Sequence, residues 1–252
     1  EAGNKLRDLG RFDEAIQGFL ESINRDSSSP AAYNNLAALL EAQHRVPEAL
    51  HVYEMAVERH PDFALGFFNL GSRLLLGLAD VATDAAEVTQ LATATSYLQR
   101  SVDLNPAYFP AWSNLGDAKR AANDIDGAMT CYLEALSRSP TYEVARNNLG
   151  NALKTNGRLD EAAIQYELAV QASSSSAGSS NTSPLMWANL GAVYMEQDRL
   201  QDALYAYSNA TSIAPTYAPA YTNKGRIVSE ARKECLTQAT TDYCACFLSV
   251  PV

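Results

Sequence analysis

Apolar positions recur along this chain in two alternating registers. In the first, an aromatic residue stands two places before an asparagine that is followed by a leucine and a small residue. The tripeptides are Asn35-Leu36-Ala37, Asn69-Leu70-Gly71, Asn114-Leu115-Gly116, Asn148-Leu149-Gly150, Asn189-Leu190-Gly191 and a variant, Asn223-Lys224-Gly225. The aromatics are Tyr33, Phe67, Trp112, Trp187 and Tyr221, with Arg146 as the exception. In the second register, Ala49, Ala128, Ala162 and Ala203 each precede by four places Tyr53, Tyr132, Tyr166 and Tyr207, and Ala56, Ala135, Ala169 and Ala210 follow. Residues at i, i+3 and i+4 share one face of a helix, so each register predicts an amphipathic helix and each unit predicts a helix pair. Pro61, Pro140 and Pro215 close the second helix of their units, because proline has no amide hydrogen to continue it.

The asparagines are spaced 34, 45, 34, 41 and 34 residues apart, so three intervals are identical and two carry insertions. In the unit with the longer insertion the second register resumes as Ala94, Leu98, Ser101 and Pro106. A hairpin of two helices cannot bury its apolar face alone, so the units must stack on one another. The aromatic, Leu-Gly, Ala, aromatic, Ala and Pro slots resemble those of the tetratricopeptide family. That resemblance implies an all-α fold, a right-handed α-solenoid of antiparallel helix pairs, acting as a protein-interaction module. Pentatricopeptide arrays, which read RNA through a basic groove, fit the period and the charge less well.

Seven units follow over one solenoid spanning 1–252: a partial one at 1–29, then 30–63, 64–108 with an insertion over about 75–91, 109–142, 143–172, 184–217 and a degenerate 218–252. Gly3, Leu6, Gly10, Ala15, Phe19 and Ser22 fill the slots of the partial first unit. Ala239, Tyr243, Cys246 and Pro251 fit those of the last only after a shift of two residues. Ser173 to Ser183 reads as a serine-rich linker loop; Asn181-Thr182-Ser183 matches a glycosylation acceptor pattern, but Pro184 follows and a passive spacer is the simpler reading. The leucine-rich insertion, Leu74 through Leu91, reads as a lengthening of both helices that lets them cover each other, the alternative being an apolar patch left for a partner.

Charge narrows the partners. Lysine plus arginine total 19 against 29 acidic residues, a net charge of −10, which repels phosphate backbones and leaves a neutral or basic protein partner. No apolar run is long enough to insert across a membrane. The chain begins at Glu1 with neither an initiator methionine nor a signal segment, which is the expectation for a processed chain or a piece of a longer one, and the compartment stays open.

Chemistry-bearing residues are sparse. The three histidines, His44, His51 and His60, lack a His-x3-His spacing, and the four cysteines lack Cys-x2-Cys, so no metal and no cofactor are expected. Cys131 and Cys246 read as core thiols, and Cys235 with Cys244 as a candidate pair across the last helix pair. No phosphate loop or nucleophile turn is present, so the chain is not expected to be an enzyme. Glu48, Glu161 and Asp202 read as acidic opening-turn residues of the second helices.

One feature of the first register goes beyond packing. Asparagine makes up 16 of 252 residues, so its presence at the same slot in all six units is not composition. A primary amide carries donor and acceptor atoms suited to the backbone of an extended peptide. The column resembles the asparagine ladder in the repeat arm of O-linked N-acetylglucosamine transferases. That resemblance implies a substrate-gripping groove lined by Asn35, Asn69, Asn114, Asn148, Asn189 and Asn223, with Asn34, Asn147, Asn151 and Lys154 contributing nearby. The alternative is that the amides bond within their own repeats. The slot beside the column holds Asn34, Phe68, Ser113, Asn147, Ala188 and Thr222, from which no cationic carboxylate clamp can be assembled. The expected function is a non-catalytic scaffold that binds a protein or peptide segment. The alternatives are the recruiting arm of a larger glycosyltransferase and an architectural subunit of a larger complex.

Overall fold

The structure, a computed structural model, describes residues 2–25, 29–78, 84–175 and 183–238. Within them the chain is all-α, with thirteen helices and no strand among the described residues. They fall into two compact units, residues 1–138 and 139–252. The first unit contains four helix pairs: α1 (Ala2–Asp8) with α2 (Phe12–Arg25), α3 (Pro30–Ala42) with α4 (Val46–Arg59), α5 (Ala64–Leu76) with α6 (Ala85–Leu104), and α7 (Phe109–Ala121) with α8 (Ile125–Arg138). The second contains α9 (Glu143–Thr155) with α10 (Leu159–Ser175), α11 (Pro184–Glu196) with α12 (Leu200–Ile213), and α13 (Ala218–Gln238). In each unit the second helix of a pair also packs on the first helix of the next, so successive hairpins complete one another's interior.

The slots of the second register form the core. Tyr132, Tyr166 and Tyr207 are fully buried, each over the glycine of its partner helix. A Cβ at Gly116 would stand 2.5 Å from the Tyr132 ring, and one at Gly150 2.8 Å from that of Tyr166, so the small residue is demanded by the ring. The short turns between paired helices repeat a backbone device. Gly10, His44, Asn123, Gly157 and Asp198 all have φ between 60 and 75°, the left-handed bend that reverses the chain in three residues. Directly after this bend Arg11, Arg45, Arg158 and Arg199 pair with Glu14, Glu48, Glu161 and Asp202 three residues on. The acidic opening-turn residues are therefore also held by an arginine at the mouth of the helix. The guanidinium's hydrogen bond is the main cause that sets the Glu48 and Glu161 carboxyls below their ordinary range.

The insertion is built differently from its sequence expectation. The first helix is not lengthened: α5 has 13 residues, as have α3, α7, α9 and α11, and only α6 grows, to 20. At the start of α6 the Asp84 carboxylate caps the helix by accepting from the Glu87 amide at 2.8 Å. The serine run also departs from a pure loop. It begins inside α10, where Ser173 is helical and buried, because the helix carries on past Ala169 and Val170. Residues 176–182, with the glycosylation pattern, and 239–252, with Cys244, Cys246 and Pro251, lie outside the described residues, as does the side chain of Cys235. Cys131 is a free, buried thiol, its pKa raised by burial.

The one unit without an aromatic at the first-register slot makes sense in three dimensions. Trp112 donates from Nε1 to the Pro106 carbonyl at 2.9 Å, and Arg146 donates to the Pro140 carbonyl at 3.0 and 2.6 Å. Both side chains tie the first helix to the carbonyl of the proline that closes the preceding unit, and a guanidinium does this as well as an indole.

Candidate functional site

The asparagine column sits on the first helices α3, α5, α7, α9, α11 and α13, and all six side chains are half-buried. Leucine and glycine at the next two positions turn inward and leave the asparagine at the edge of the helix–helix contact. In the first unit Asn69 donates from Nδ2 to Asn34 Oδ1, and Asn114 donates from Nδ2 to Ser72 Oγ at 2.7 Å. In the second, Asn189 donates to Asn147 Oδ1 at 2.9 Å, and Asn147 donates in turn to Asn148 Oδ1 at 3.3 Å. Three of these bonds, from Asn69, Asn114 and Asn189, link a column amide to the first helix of the preceding repeat, and the Asn147–Asn148 bond lies within α9.

The neighbouring candidates are engaged too. Asn151 accepts from the Tyr166 hydroxyl at 2.6 Å, and Lys154 pairs with Glu196 of the next first helix at 3.0 Å. Asn223 approaches the Tyr207 hydroxyl and, with Arg226, opposes the rise in its pKa that burial causes. The structure thus brings Asn147, Asn148 and Asn189 into one cluster in the second unit, and Asn34 with Asn69 into another in the first. Asn35 lies on α3, on the same helix as Asn34.

Two further members of this network, Ser72 and Asp117, escaped the sequence reading. Ser72, Asp117 and Asn151 all stand three places after the column asparagine, one turn along the same helix face. Asp117 accepts from the Tyr132 hydroxyl at 2.7 Å, as Asn151 does from Tyr166. Burial, with the Asp117 carboxylate beside it, pushes the Tyr132 hydroxyl up, and burial with the charge of Glu196 does the same to Tyr166. Glu41 and Arg73 form a second inter-repeat link, at 3.3 Å. A signal was present only in part: polar residues stand three places after four of the six asparagines, at Ser72, Asp117, Asn151 and Arg226, whereas Ala38 and Ala192 take that place in the other two units.

The arrangement suits docking. An amide that makes one hydrogen bond to the preceding helix retains a second N–H and a carbonyl lone pair for an outside group. The first-helix cations that have carboxylate partners across repeats, Arg73 and Lys154, offer a bound carboxylate no unpaired charge. Among the described residues no three His, Cys, Asp or Glu side chains gather into a metal-holding group, and no helix is long and apolar enough to cross a membrane.

Known proteins share this architecture. A family model of the TPR repeat matches residues 3–44 and 116–157, and a second tetratricopeptide repeat model matches 31–60 and 144–178. The chain is 34% identical over 120 residues to the Hsp70-Hsp90 organizing protein of Triticum aestivum, which is 48% of this chain and 19% of that protein. It thus spans about a fifth of that relative's length. Among solved structures it is similar to PilW, a widely conserved type IV pilus biogenesis factor, at 14% identity and a TM-score of 0.69 over 88% of this chain and 94% of that one. YrrB, a TPR protein with an unusual peptide-binding site, superposes at 18% identity and a TM-score of 0.62 over 83% of this chain and 99% of that one. Periodic slots, stacked hairpins and matched repeat models agree that residues 3–60 and 116–178 carry tetratricopeptide repeats.

Proposed function

We propose that this chain is a non-catalytic protein-interaction scaffold that holds an extended segment of a partner protein along its first helices, gripped by the asparagine column. The observation that carries this reading is the column itself: six half-buried amides at one slot, of which Asn69, Asn114 and Asn189 are pre-oriented by a bond to the preceding repeat. An amide fixed by one bond loses less entropy when it binds a second group, so the ladder is preorganised for a peptide backbone. In this respect it resembles the repeat arm of O-linked N-acetylglucosamine transferases. The net charge of −10 favours a protein segment over a nucleic acid.

The test replaces Asn114, Asn148 and Asn189 with alanine and follows folding and peptide capture side by side. Each lost inter-repeat bond should cost about 0.5–1.5 kcal/mol of stability, while capture should fall at least about tenfold. Asn209→Ala is the control, since it removes an asparagine of the second helix α12, outside the column. Capture that survives the triple substitution in a folded protein refutes groove binding.

A further inference from the structure

Four residues before each column asparagine, on the same helix face, stands a second column: Ala31, Leu65, Pro110, Val144, Leu185 and Pro219. All six are apolar. A first helical turn at the surface ordinarily favours polar and acidic residues or proline, so Pro110 and Pro219 are ordinary there, but Leu65, Val144 and Leu185 call for a reason. Packing does not supply it, because Leu65, Val144 and Leu185 keep 38%, 42% and 47% of their surface exposed. Each first helix therefore presents an aliphatic group and, one turn on, a half-buried amide.

The spacing of these pairs limits what can occupy them. Neighbouring first helices within a unit touch through their amides, as Asn189 does with Asn147, which sets consecutive pairs about 8–10 Å apart. An α-helix advances about 5.4 Å per turn and closes its own backbone hydrogen bonds, so it has none for the amides. A β-strand of about 3.3 Å per residue reaches the same distance in three residues but then presents the opposite face. A polyproline-II segment rises about 3.1 Å per residue with three residues per turn, so every third side chain points the same way at about 9.3 Å intervals, with its backbone free of internal bonds. Charge points the same way: with Lys154 paired to Glu196 and Arg73 to Glu41, an acidic segment gains nothing there.

We infer that in the second unit the two columns together select a polyproline-II-like segment bearing an aliphatic side chain at every third residue, the aliphatics seated on Val144 and Leu185 and the backbone held by Asn148 and Asn189. This rests on the groove-binding reading proposed above and adds the chemistry of the ligand.

The test is selection from a displayed library of random 12-residue peptides against the full chain. The selected peptides are then measured by fluorescence anisotropy against wild type, Leu185→Ser, Val144→Ser and Asn148→Ala. The exposed positions keep the serine variants folded, which circular dichroism checks. Enrichment of an aliphatic-x-x-aliphatic spacing, with affinity lowered about fivefold or more by Leu185→Ser and by Asn148→Ala, supports the inference. Peptides weakened by Asn148→Ala but indifferent to Leu185→Ser, or lacking the three-residue spacing, overturn it and leave groove binding standing. Peptides indifferent to all three substitutions overturn both.

Discussion

At the scale of single residues, the ring of one helix and the missing side chain of its partner decide how tightly a hairpin closes. Tyr132 lies on Gly116 and reaches Asp117 at 2.7 Å, whereas Tyr53 shares its core cluster with Ala37, the residue at the equivalent slot, and stands 3.4 Å from Glu41. The α3–α4 pair carries alanine at this slot. Gly116→Ala in the α7–α8 pair must move Tyr132, and is expected to lower stability by about 1–3 kcal/mol through overpacking and the lost hydroxyl bond. Urea unfolding measures it, and an unchanged midpoint would contradict the packing account. Single residues also divide what could be read in the sequence from what could not. Leucine, glycine, alanine and tyrosine repeat unchanged because shape complementarity admits few substitutes. The partners of the asparagines vary between Asn34, Ser72 and Asn147 because any short hydrogen-bonding side chain will serve.

At the scale of elements, most hairpins share one turn. Five short connections use a left-handed residue, and four of these place an arginine to pair with the acid of the next opening turn. In the pair that carries the insertion, Asp84 is the N-cap of α6. Asp84→Ala should cost about 1 kcal/mol, read as a lower melting temperature, with Asp84→Asn nearly neutral because asparagine caps equally well. Equal losses from both substitutions would mean that the carboxylate acts by charge and not by capping. The apolar surplus of this insertion was legible, but its distribution was not. Periodicity shows that leucines share a helical face, yet the place where a helix ends depends on its caps; Val88 on α6 is 54% exposed and Leu76, the last residue of α5, 75% exposed.

At the scale of the whole molecule, stability accumulates from similar hairpins, so a property repeated in each adds up. Buried tyrosine hydroxyls are such a property. Burial raises Tyr53, Tyr132, Tyr166 and Tyr207, and Tyr194 is pushed up to about 12 by burial and by its bond to Glu167. An acid whose folded pKa lies above the ordinary 10 keeps its proton in the folded state after the unfolded chain has released it. Its contribution is therefore complete below pH 10 and declines as pH rises toward 12 and beyond. Melting temperature is expected to fall steeply between about pH 10 and 12, and Tyr132→Phe to shallow the slope. A flat profile across that window would contradict the burial of these hydroxyls. The sequence by itself determined the helix pairs, their period and the face each one buries, because a hydrophobic pattern repeated at helical spacing has one way to be satisfied. Only the tertiary structure decided that the column amides bond across to the preceding repeat, that Arg146 does the work of a tryptophan, and that an aliphatic row stays in solvent beside them. Those outcomes depend on which atoms of neighbouring helices come within hydrogen-bonding reach, a distance that no spacing along a single chain specifies.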